Sequence, residues 1–161
     1  MVDPVFLHVL RKIIAGLEKS DVIWAVGGSL SLALRGAPVQ PRDIDMLTDR
    51  PGSYKIERIF LRFVVDKVSL RNSENIRSHF GELDMDGVKI EIMGDFQLRS
   101  ENGDWDDPPD LQNIRQVVQF GDLHVPVLTL DWEHRAYSRL GRHEKVSMIS
   151  QLMRSSKPGE P

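Results

Sequence analysis

Two aspartates separated by one residue, Asp43 and Asp45, have the type and spacing that metal chemistry requires. In a β-strand, alternate side chains point to the same face, so both carboxylates would point the same way. Magnesium prefers oxygen ligands, and carboxylates that hold it beside substrate phosphates support phosphoryl-group transfer. An isolated Asp-x-Asp triplet more often belongs to a solvated strand edge or a turn, so the surrounding sequence decides between the two interpretations.

A glycine turn precedes this triplet. Residues 22–26 are continuously apolar and include β-branched side chains, which predicts a buried strand that runs into Gly27, Gly28 and Ser29. A helix is predicted to follow, with Ser29 as its N-cap. Without a Cβ, Gly28 would let a phosphate approach the backbone, while the Ser29 hydroxyl and helix-start amides donate to it. A plain tight turn is the competing interpretation, but a phosphate site and a metal site in one structural unit are more specific than either alone.

A third carboxylate, Glu91, lies on a predicted hairpin. The Asp86-Gly87 pair is a strong hairpin signal, and the register that it sets places Glu91 on one strand face with Lys89. The apolar residues of this strand occupy the opposite face: Val88, Ile90 and Ile92. A carboxylate among apolar neighbours needs a paired charge or a bound cation. A salt bridge with Lys89 and a metal site are therefore the two interpretations of Glu91.

Three segments in this order, VGGSLSLALRG, PRDIDML and GVKIEIM, resemble the DNA polymerase β-like nucleotidyltransferase superfamily, particularly its small prokaryotic members. The resemblance extends from the strand at residues 22–26 to the C-terminal helices. Members carry a Gly-Ser turn before a helix, an Asp-x-Asp strand, and a third acid on a later strand. That third acid is often Asp, whereas here it is Glu91.

The resemblance implies a magnesium-dependent nucleotidyltransferase with ATP as the expected nucleotide. Asp43 and Asp45 would bridge two magnesium ions, and Glu91 would hold the second ion. Whether Glu91 or another group acts as the base is left open. The resemblance also implies attack on the α-phosphate with release of pyrophosphate. The acceptor hydroxyl, on a protein or a small molecule, is left open.

The basic residues of LGRHEKVSMI are similar to a charged cluster in the last helices of many small relatives. By this resemblance Arg142 and Lys145 would reach the triphosphate and, with Gly27, Gly28 and Ser29, form the nucleotide-binding set. Charge pairs on the helix surface are an equally weighted interpretation of Arg142 and Lys145.

Other segments predict the elements that would position these residues. We expect helices at 4–19, 54–65, 131–140 and 142–153, with Asp131 as an N-cap, and strands near 116–120 and 125–130. The expected fold is α+β or α/β, a mixed β-sheet packed by helices with a C-terminal helical pair. Residues 1–154 are predicted to form one domain and residues 155–161 a flexible polar tail.

The composition excludes several functions. The chain has 161 residues, a formal net charge of −3 and no cysteine, so disulfides and thiolate sites are absent, and long nucleic acid is an unlikely partner. No apolar run is long enough to cross a membrane, so we expect a cytoplasmic protein. A homodimer is left open.

The acidic segment 101–110 predicts a loop or disorder, in which Trp105 would anchor the loop or stack on a ligand. Of the five histidines, only His79 is a candidate for lining the cleft of the site.

Two other functions are weighed against the enzyme. The fold could serve as a binding module with little turnover, such as the antitoxin half of a toxin–antitoxin pair, for which a missing metal or a blocked cleft would be the sign. A resistance adenylyltransferase for a polyhydroxylated cationic drug ranks lower, because the chain lacks the large extra substrate domain of some such enzymes.

Overall fold

The structure is a computed structural model that describes residues 2–155. Its α-helices are α1 (Pro4–Leu17), α2 (Gly28–Leu34), α3 (Arg50–Ile59), α4 (Leu130–Arg139) and α5 (His143–Ser155). Its strands are β1 (Trp24–Gly27), β2 (Asp43–Thr48), β3 (Val64–Asn72), β4 (Ile76–Met85), β5 (Val88–Leu98), β6 (Arg115–Phe120) and β7 (Leu123–Leu128). Short 3-10 turns lie at Leu61–Phe63 and Leu111–Asn113. Of the predicted tail, residues 156–161 lie outside the described residues.

All seven strands form one mixed sheet in the order β3-β4-β5-β2-β1-β7-β6. The β2–β5 and β1–β7 pairs are parallel, and the other neighbours are antiparallel. Alternate residues of β2 pack in two different cores, Ile44 and Met46 with α1 and α3, and Leu47 with α4. Helices therefore cover both faces of the sheet, and the predicted mixed sheet packed by helices is confirmed.

The first helix begins where the sequence predicts. Asp3 is its N-cap, with Oδ1 accepting from the Val5 amide at 3.0 Å, and Pro4 stands in the first turn. The buried residues recur at helical spacing along one face: Phe6, Val9, Leu10, Ile13 and Leu17. The helix ends two residues before the predicted Lys19.

The helix predicted at 54–65 is wrong at both ends. Asp49 caps α3, accepting from the Gly52 amide at 2.7 Å, and the helix ends at Ile59, whose side chain is 41% exposed. The chain then enters β3 at Val64, a strand that the sequence did not predict. β3 is an edge strand paired only with β4, and most of its side chains are exposed. It therefore lacks the continuous apolar signal of a buried strand.

The predicted hairpin between β4 and β5 is confirmed. Asp86 and Gly87 both have positive φ, 55° and 83°, and Met85 pairs with Val88 across the turn. Two consecutive positive φ values match the twist of the flanking strands, which explains the Asp-Gly sequence. The pairing turns Ile90 towards the core and leaves Glu91 on the other face of β5.

A bulge interrupts the same pair of strands further along. Asp95 has a φ of 51°, and the β4–β5 register shifts between Arg77 and His79. The Asp95 Oδ1 accepts from the Arg50 amide at 2.9 Å. Before the bulge Ile92 packs with α1 and α3, whereas after it Phe96 packs on the α4 face. The extra residue thus changes the face of the sheet to which the end of β5 points.

The C-terminal helical pair is confirmed, with a corrected start. Thr129, rather than Asp131, is the N-cap of α4, and Asp131 lies in the first helical turn. Gly141 separates the two helices with a φ of 73°. In α5, Ile149 is buried against Leu32 of α2, which fixes α5 beside the glycine turn. Within residues 2–155, no helix is long and apolar enough to cross a membrane.

Candidate active site

Three acidic side chains converge at one end of the sheet. Asp45 on β2 lies directly beside Glu91 on β5, because these parallel strands pair residue for residue. Asp43 points to the same face as Asp45. One carboxylate oxygen from each residue lies within 4.8 Å of the other two, and all three residues are partly exposed. This oxygen-only set has the chemistry that Mg²⁺ prefers.

Lys89 and Lys145 offset the charges of this cluster only in part. Burial and the nearby Asp43 and Glu91 carboxylates raise the pKa of Asp45 to about 7. Burial also raises the pKa of Glu91, opposed by the Lys89 ammonium, whose Nζ lies 3.9 Å from Oε1. Glu91 therefore contacts Lys89 and also faces the aspartates, and its role as a metal ligand stays a prediction. A bound cation would stabilise the ionised carboxylates and so oppose both the burial and the repulsion that raise these pKa values.

The glycine turn lies against this cluster. Gly28 has a φ of 67°, and a Cβ there would overlap the Asp45 carboxylate. Only glycine combines this conformation with so close an approach. The predicted cap is wrong: Gly27 is the N-cap of α2 without a side-chain hydrogen bond, and Ser29 lies inside the helix. The Ser29 hydroxyl instead accepts a hydrogen bond from Lys145 Nζ.

Lys145 and Arg142 both line the cleft with Gly27, Gly28 and Ser29. Burial lowers the pKa of Lys145, while the nearby Asp45 and Glu133 carboxylates raise it. No ion pair joins Arg142 to Glu144 within residues 2–155. The described geometry therefore favours the cleft over the helix surface as the place of both cations.

Glu133 is a buried acid that the sequence did not single out. It lies on α4, is 1% exposed, and its Oε1 accepts from Ser31 Oγ at 2.9 Å. Burial raises the pKa of Glu133 to about 8, although Ser31, Arg35 and the Gly28 amide act against the shift. In the described part of the chain, Glu133 Oε2 and Arg35 Nη1 have no hydrogen-bond partner. An acid in the first turn of a helix is common, so nothing in the sequence distinguished Glu133 as a buried carboxyl with a raised pKa.

The cleft beside these residues has a volume of about 350 Å³. Its polar lining consists of the three acids, the glycine turn, the two cations, Glu133 and Tyr137. Its apolar lining residues are Leu47, Ile76, Met93, Phe96, Leu128, Trp132, Ala136 and Leu140. The cleft thus combines polar groups suited to phosphates and metal with apolar surface suited to an uncharged group.

Two further candidates from the sequence, His79 and Trp105, lie away from the cleft. His79 does not line the cleft, which corrects the prediction, and its Nδ1 lies 3.0 Å from the Tyr54 hydroxyl. Trp105 is half-buried between the guanidinium groups of Arg77 and Arg99, at 5.1 and 4.5 Å from its ring centre. These contacts and a β-bridge to Arg99 anchor the loop 101–110.

Comparisons with known proteins identify relatives of this structure. Residues 9–152 match the family model of aminoglycoside-2″-adenylyltransferase. A Thermotoga maritima protein described as a nucleotidyltransferase is 49% identical over 94% of both chains, with a TM-score of 0.84. No curated protein matches the sequence.

Two further structures share the fold at low identity. A lincosamide antibiotic adenylyltransferase bound to lincomycin is 13% identical over 94% of this chain and 99% of its own, with a TM-score of 0.58. The protein ANT(2″)-Ia in complex with adenylyl-2″-tobramycin is 10% identical over 94% and 91%, with a TM-score of 0.60. The match over residues 9–152 is decisive: the chain belongs to the aminoglycoside-2″-adenylyltransferase family, among the DNA polymerase β-like nucleotidyltransferases.

Proposed function

We propose that this protein transfers AMP from ATP to a hydroxyl group of a small-molecule or protein acceptor, with Mg²⁺ and with release of pyrophosphate. The observation that carries the proposal is the convergence of Asp43, Asp45 and Glu91 within 4.8 Å. Family membership supports nucleotidyl transfer. The alternative binding module would have a blocked cleft, whereas this cleft is open to solvent beside the acids.

The three acids fit a magnesium site, because each offers a carboxylate oxygen and the pKa of Asp45 stays raised although Lys89 and Lys145 lie near. Asp43, Asp45 and Glu91 would hold the metal. When bound, Mg²⁺ supplies charge neutralisation for the phosphates and lowers the pKa of an attacking hydroxyl.

The glycine turn and the two cations beside the acids would bind the triphosphate. Lys145 Nζ already contacts the Ser29 hydroxyl, so an ammonium and a hydroxyl donor face the cleft together. The backbone of Gly28 lies directly against the Asp45 carboxylate, and Arg142 adds a second cation. A triphosphate placed here would bring its α-phosphate to the aspartates. The site then acts mainly by positioning and charge compensation.

The reaction itself needs a base on the acceptor side. The acceptor oxygen would attack the α-phosphorus, the bond to the β-phosphate would break, and pyrophosphate would leave with the bonding electrons. Glu91, which faces the two aspartates, would accept the hydroxyl proton as the general base.

The test is labelling from [α-³²P]ATP in the presence of Mg²⁺ and a cell extract separated into protein and small-molecule fractions. We expect a new labelled product in one fraction and an equal amount of pyrophosphate, both lost with excess chelator and with Asp45→Asn. Calorimetry provides the second measurement, with ATP binding tightened by Mg²⁺. Equal ATP affinity in Mg²⁺ and in chelator, without a labelled product, would contradict the proposal.

A further inference from the structure

The glycine turn between β1 and α2 lies between two carboxylates that come from other elements. Asp45 of β2 lies against Gly28, because a Cβ at Gly28 would overlap the Asp45 carboxylate. Glu133 of α4 lies against Gly27, where a Cβ would stand 3.4 Å from Glu133 Oε1. Asp45 belongs to the three-acid cluster, whereas Glu133 lies outside it.

Glu133 supplies the acceptor that α2 lacks at its own start. Gly27, the N-cap of α2, makes no side-chain capping bond. The first amides of a helix have no partner within the helix, so their acceptor must come from elsewhere. The Gly28 amide donates to the Glu133 carboxyl, and Ser31 Oγ lies 2.9 Å from Glu133 Oε1. The turn is thus fixed by α4 rather than by its own side chains.

This contact holds the turn on both sides of the serine that faces the cleft. Ser29 follows Gly28, and its hydroxyl accepts a hydrogen bond from Lys145 Nζ. Glu133 binds the residue before Ser29 through its amide and Ser31, two residues after it, through its hydroxyl. The position of the Ser29–Lys145 pair therefore depends on a turn that Glu133 fixes.

An acid at this position is expensive for the fold. Glu133 is buried, its Oε2 has no hydrogen-bond partner among residues 2–155, and burial raises the pKa of Glu133 to about 8. Replacing a buried charged group by an apolar side chain of similar size is often neutral or stabilising. Glu133 is therefore better explained by the turn that it binds than by the stability of α4.

We propose that Glu133 is a positioning residue for nucleotide binding. Its Oε1 accepts from Gly28 and Ser31 and so keeps the glycine turn in place. The turn then presents the Ser29 hydroxyl and the Lys145 ammonium to the triphosphate. The inference rests on the proposed function and adds a residue that acts through the turn without touching the nucleotide. The role belongs to the oxygen acceptor, so a neutral side chain with an oxygen in the same place fulfils it.

Two substitutions at Glu133 separate the oxygen acceptor from the size of the side chain. Glu133→Gln keeps an oxygen acceptor, whereas Glu133→Leu has a similar size and none. Calorimetry of the full chain with Mg²⁺ and α,β-methylene-ATP, below the melting temperature of each variant, measures nucleotide affinity. We expect Glu133→Leu to bind this analogue about tenfold more weakly or worse, and Glu133→Gln to stay within about threefold of the parent. Parent-like affinity in Glu133→Leu, or an equal loss in Glu133→Gln, would overturn the inference.

Ser31→Ala removes a donor of the same contact and serves if Glu133→Leu does not fold. Ser53→Ala is the matched control, because both serines are buried at the fourth position of a helix. Each hydroxyl also lies close to the carbonyl oxygen three residues earlier, at 2.8 Å for Ser31 and 2.6 Å for Ser53. Ser53 does not line the cleft. We expect Ser31→Ala to weaken analogue binding about threefold or more and Ser53→Ala to keep the parent affinity. Equal losses in the two variants would assign the effect to helix packing and contradict the proposed role.

The effects of Glu133 and Ser31 on affinity should be coupled, because both residues act through one contact. Adding Ser31→Ala to Glu133→Leu should therefore cause little further loss of affinity, and full additivity would show that the two residues act separately and refute the inference. Failure of the proposed function is distinguishable. In that case Mg²⁺ would not tighten analogue binding to the parent, whereas the parent keeps this dependence if only the role of Glu133 is wrong.

Discussion

The Asp45 carboxylate occupies the space into which a Cβ at Gly28 would project. The metal-binding strand and the glycine turn are therefore in direct contact, and β1 and β2 hold them there by pairing Gly27 with Asp45. A substitution on the turn acts on the acids through this contact.

Gly28→Ala should damage the site more than its backbone strain explains. The positive φ of Gly28 costs an alanine about 1–2 kcal/mol, and the added methyl also displaces Asp45. Gly36→Ala is the matched control, with a φ of 95° at the other end of α2 and no atom within 4 Å of the added Cβ. We expect similar losses of melting temperature from the strain, and loss of Mg²⁺-dependent ATP binding only in Gly28→Ala. Unchanged ATP affinity in Gly28→Ala would contradict this contact.

Asp45→Asn should stabilise the metal-free protein at pH 8. Because the pKa of folded Asp45 is raised to about 7 from an ordinary value of 3.8, its contribution to stability is present at low pH and is lost as pH rises through 7. Asparagine does not ionise, so thermal unfolding in chelator should show a gain of a few degrees at pH 8 and little change at pH 4. The variant should lose nucleotide transfer. A lower melting temperature at pH 8 would contradict the raised pKa of Asp45.

Glu133→Gln tests the buried acid beneath the turn. The pKa of folded Glu133 is raised to about 8 from an ordinary 4.5, so its stabilising protonated form is lost as pH rises towards 8. Between pH 5 and pH 8 the parent should lose roughly 2–4 kcal/mol more unfolding free energy than Glu133→Gln, as measured by urea unfolding in chelator. Glu18→Gln, at an exposed position on the C-terminal side of α1, should follow the parent curve. Parallel curves for parent and Glu133→Gln would show that Glu133 stays ionised.

Much of the site could be predicted because its signals are local. The Asp86-Gly87 turn sets the side of β5 on which Glu91 lies, and Asp43 and Asp45 share a face in any strand. Their roles as metal ligands stay predictions until metal binding is measured. The family resemblance, carried by short motifs, was confirmed by the match over residues 9–152.

The missed features depend on contacts distant in sequence. Glu133 has a raised pKa because α4 buries it against Ser31, which is 102 residues away in the sequence. Ser29 contacts Lys145 of α5 instead of capping its own helix, and this choice is made by packing rather than by helix propensity. The Asp95 bulge is held by Arg50 of another element, and Gly94 before it is the local sign within β5 that the sequence analysis did not use.

Lys145→Met should weaken binding of the magnesium–nucleotide complex by about tenfold or more, since a charge-assisted contact to phosphate is lost while the aliphatic bulk is kept. Lys145 faces the cleft, whereas Lys12 pairs with Asp86 on the surface at 2.6 Å. Lys12→Met is therefore the matched control, and its ATP affinity should equal that of the parent. Calorimetry with Mg²⁺ and α,β-methylene-ATP, an analogue that cannot transfer its nucleotide, measures the nucleotide affinity of both variants. Equal affinities for both variants would place the triphosphate elsewhere.

A series of substitutions at Asp95 tests whether the left-handed conformation at the bulge places Phe96 against Trp132. Asparagine tolerates a φ of 51° and keeps an oxygen acceptor for the Arg50 amide, so Asp95→Asn should resemble the parent. Asp95→Gly keeps the conformation but loses the hydrogen bond, at a cost of about 1 kcal/mol. Asp95→Val resists the positive φ and loses the bond as well, so its cost should reach about 2–4 kcal/mol.

The series should also distinguish an effect on stability from an effect on the packing of the cleft. If valine forces β5 into a regular register, Phe96 turns towards α3 and leaves Trp132, with which it now packs edge-on. We therefore expect the order Asn, Gly, Val in falling stability by urea unfolding, and a changed Trp132 environment by fluorescence only in Asp95→Val, because the glycine variant keeps the bulge. Trp132→Phe fluorescence identifies the Trp132 signal among the three tryptophans. A valine variant as stable as the asparagine variant, with unchanged fluorescence, would show that the bulge does not depend on the left-handed conformation at Asp95.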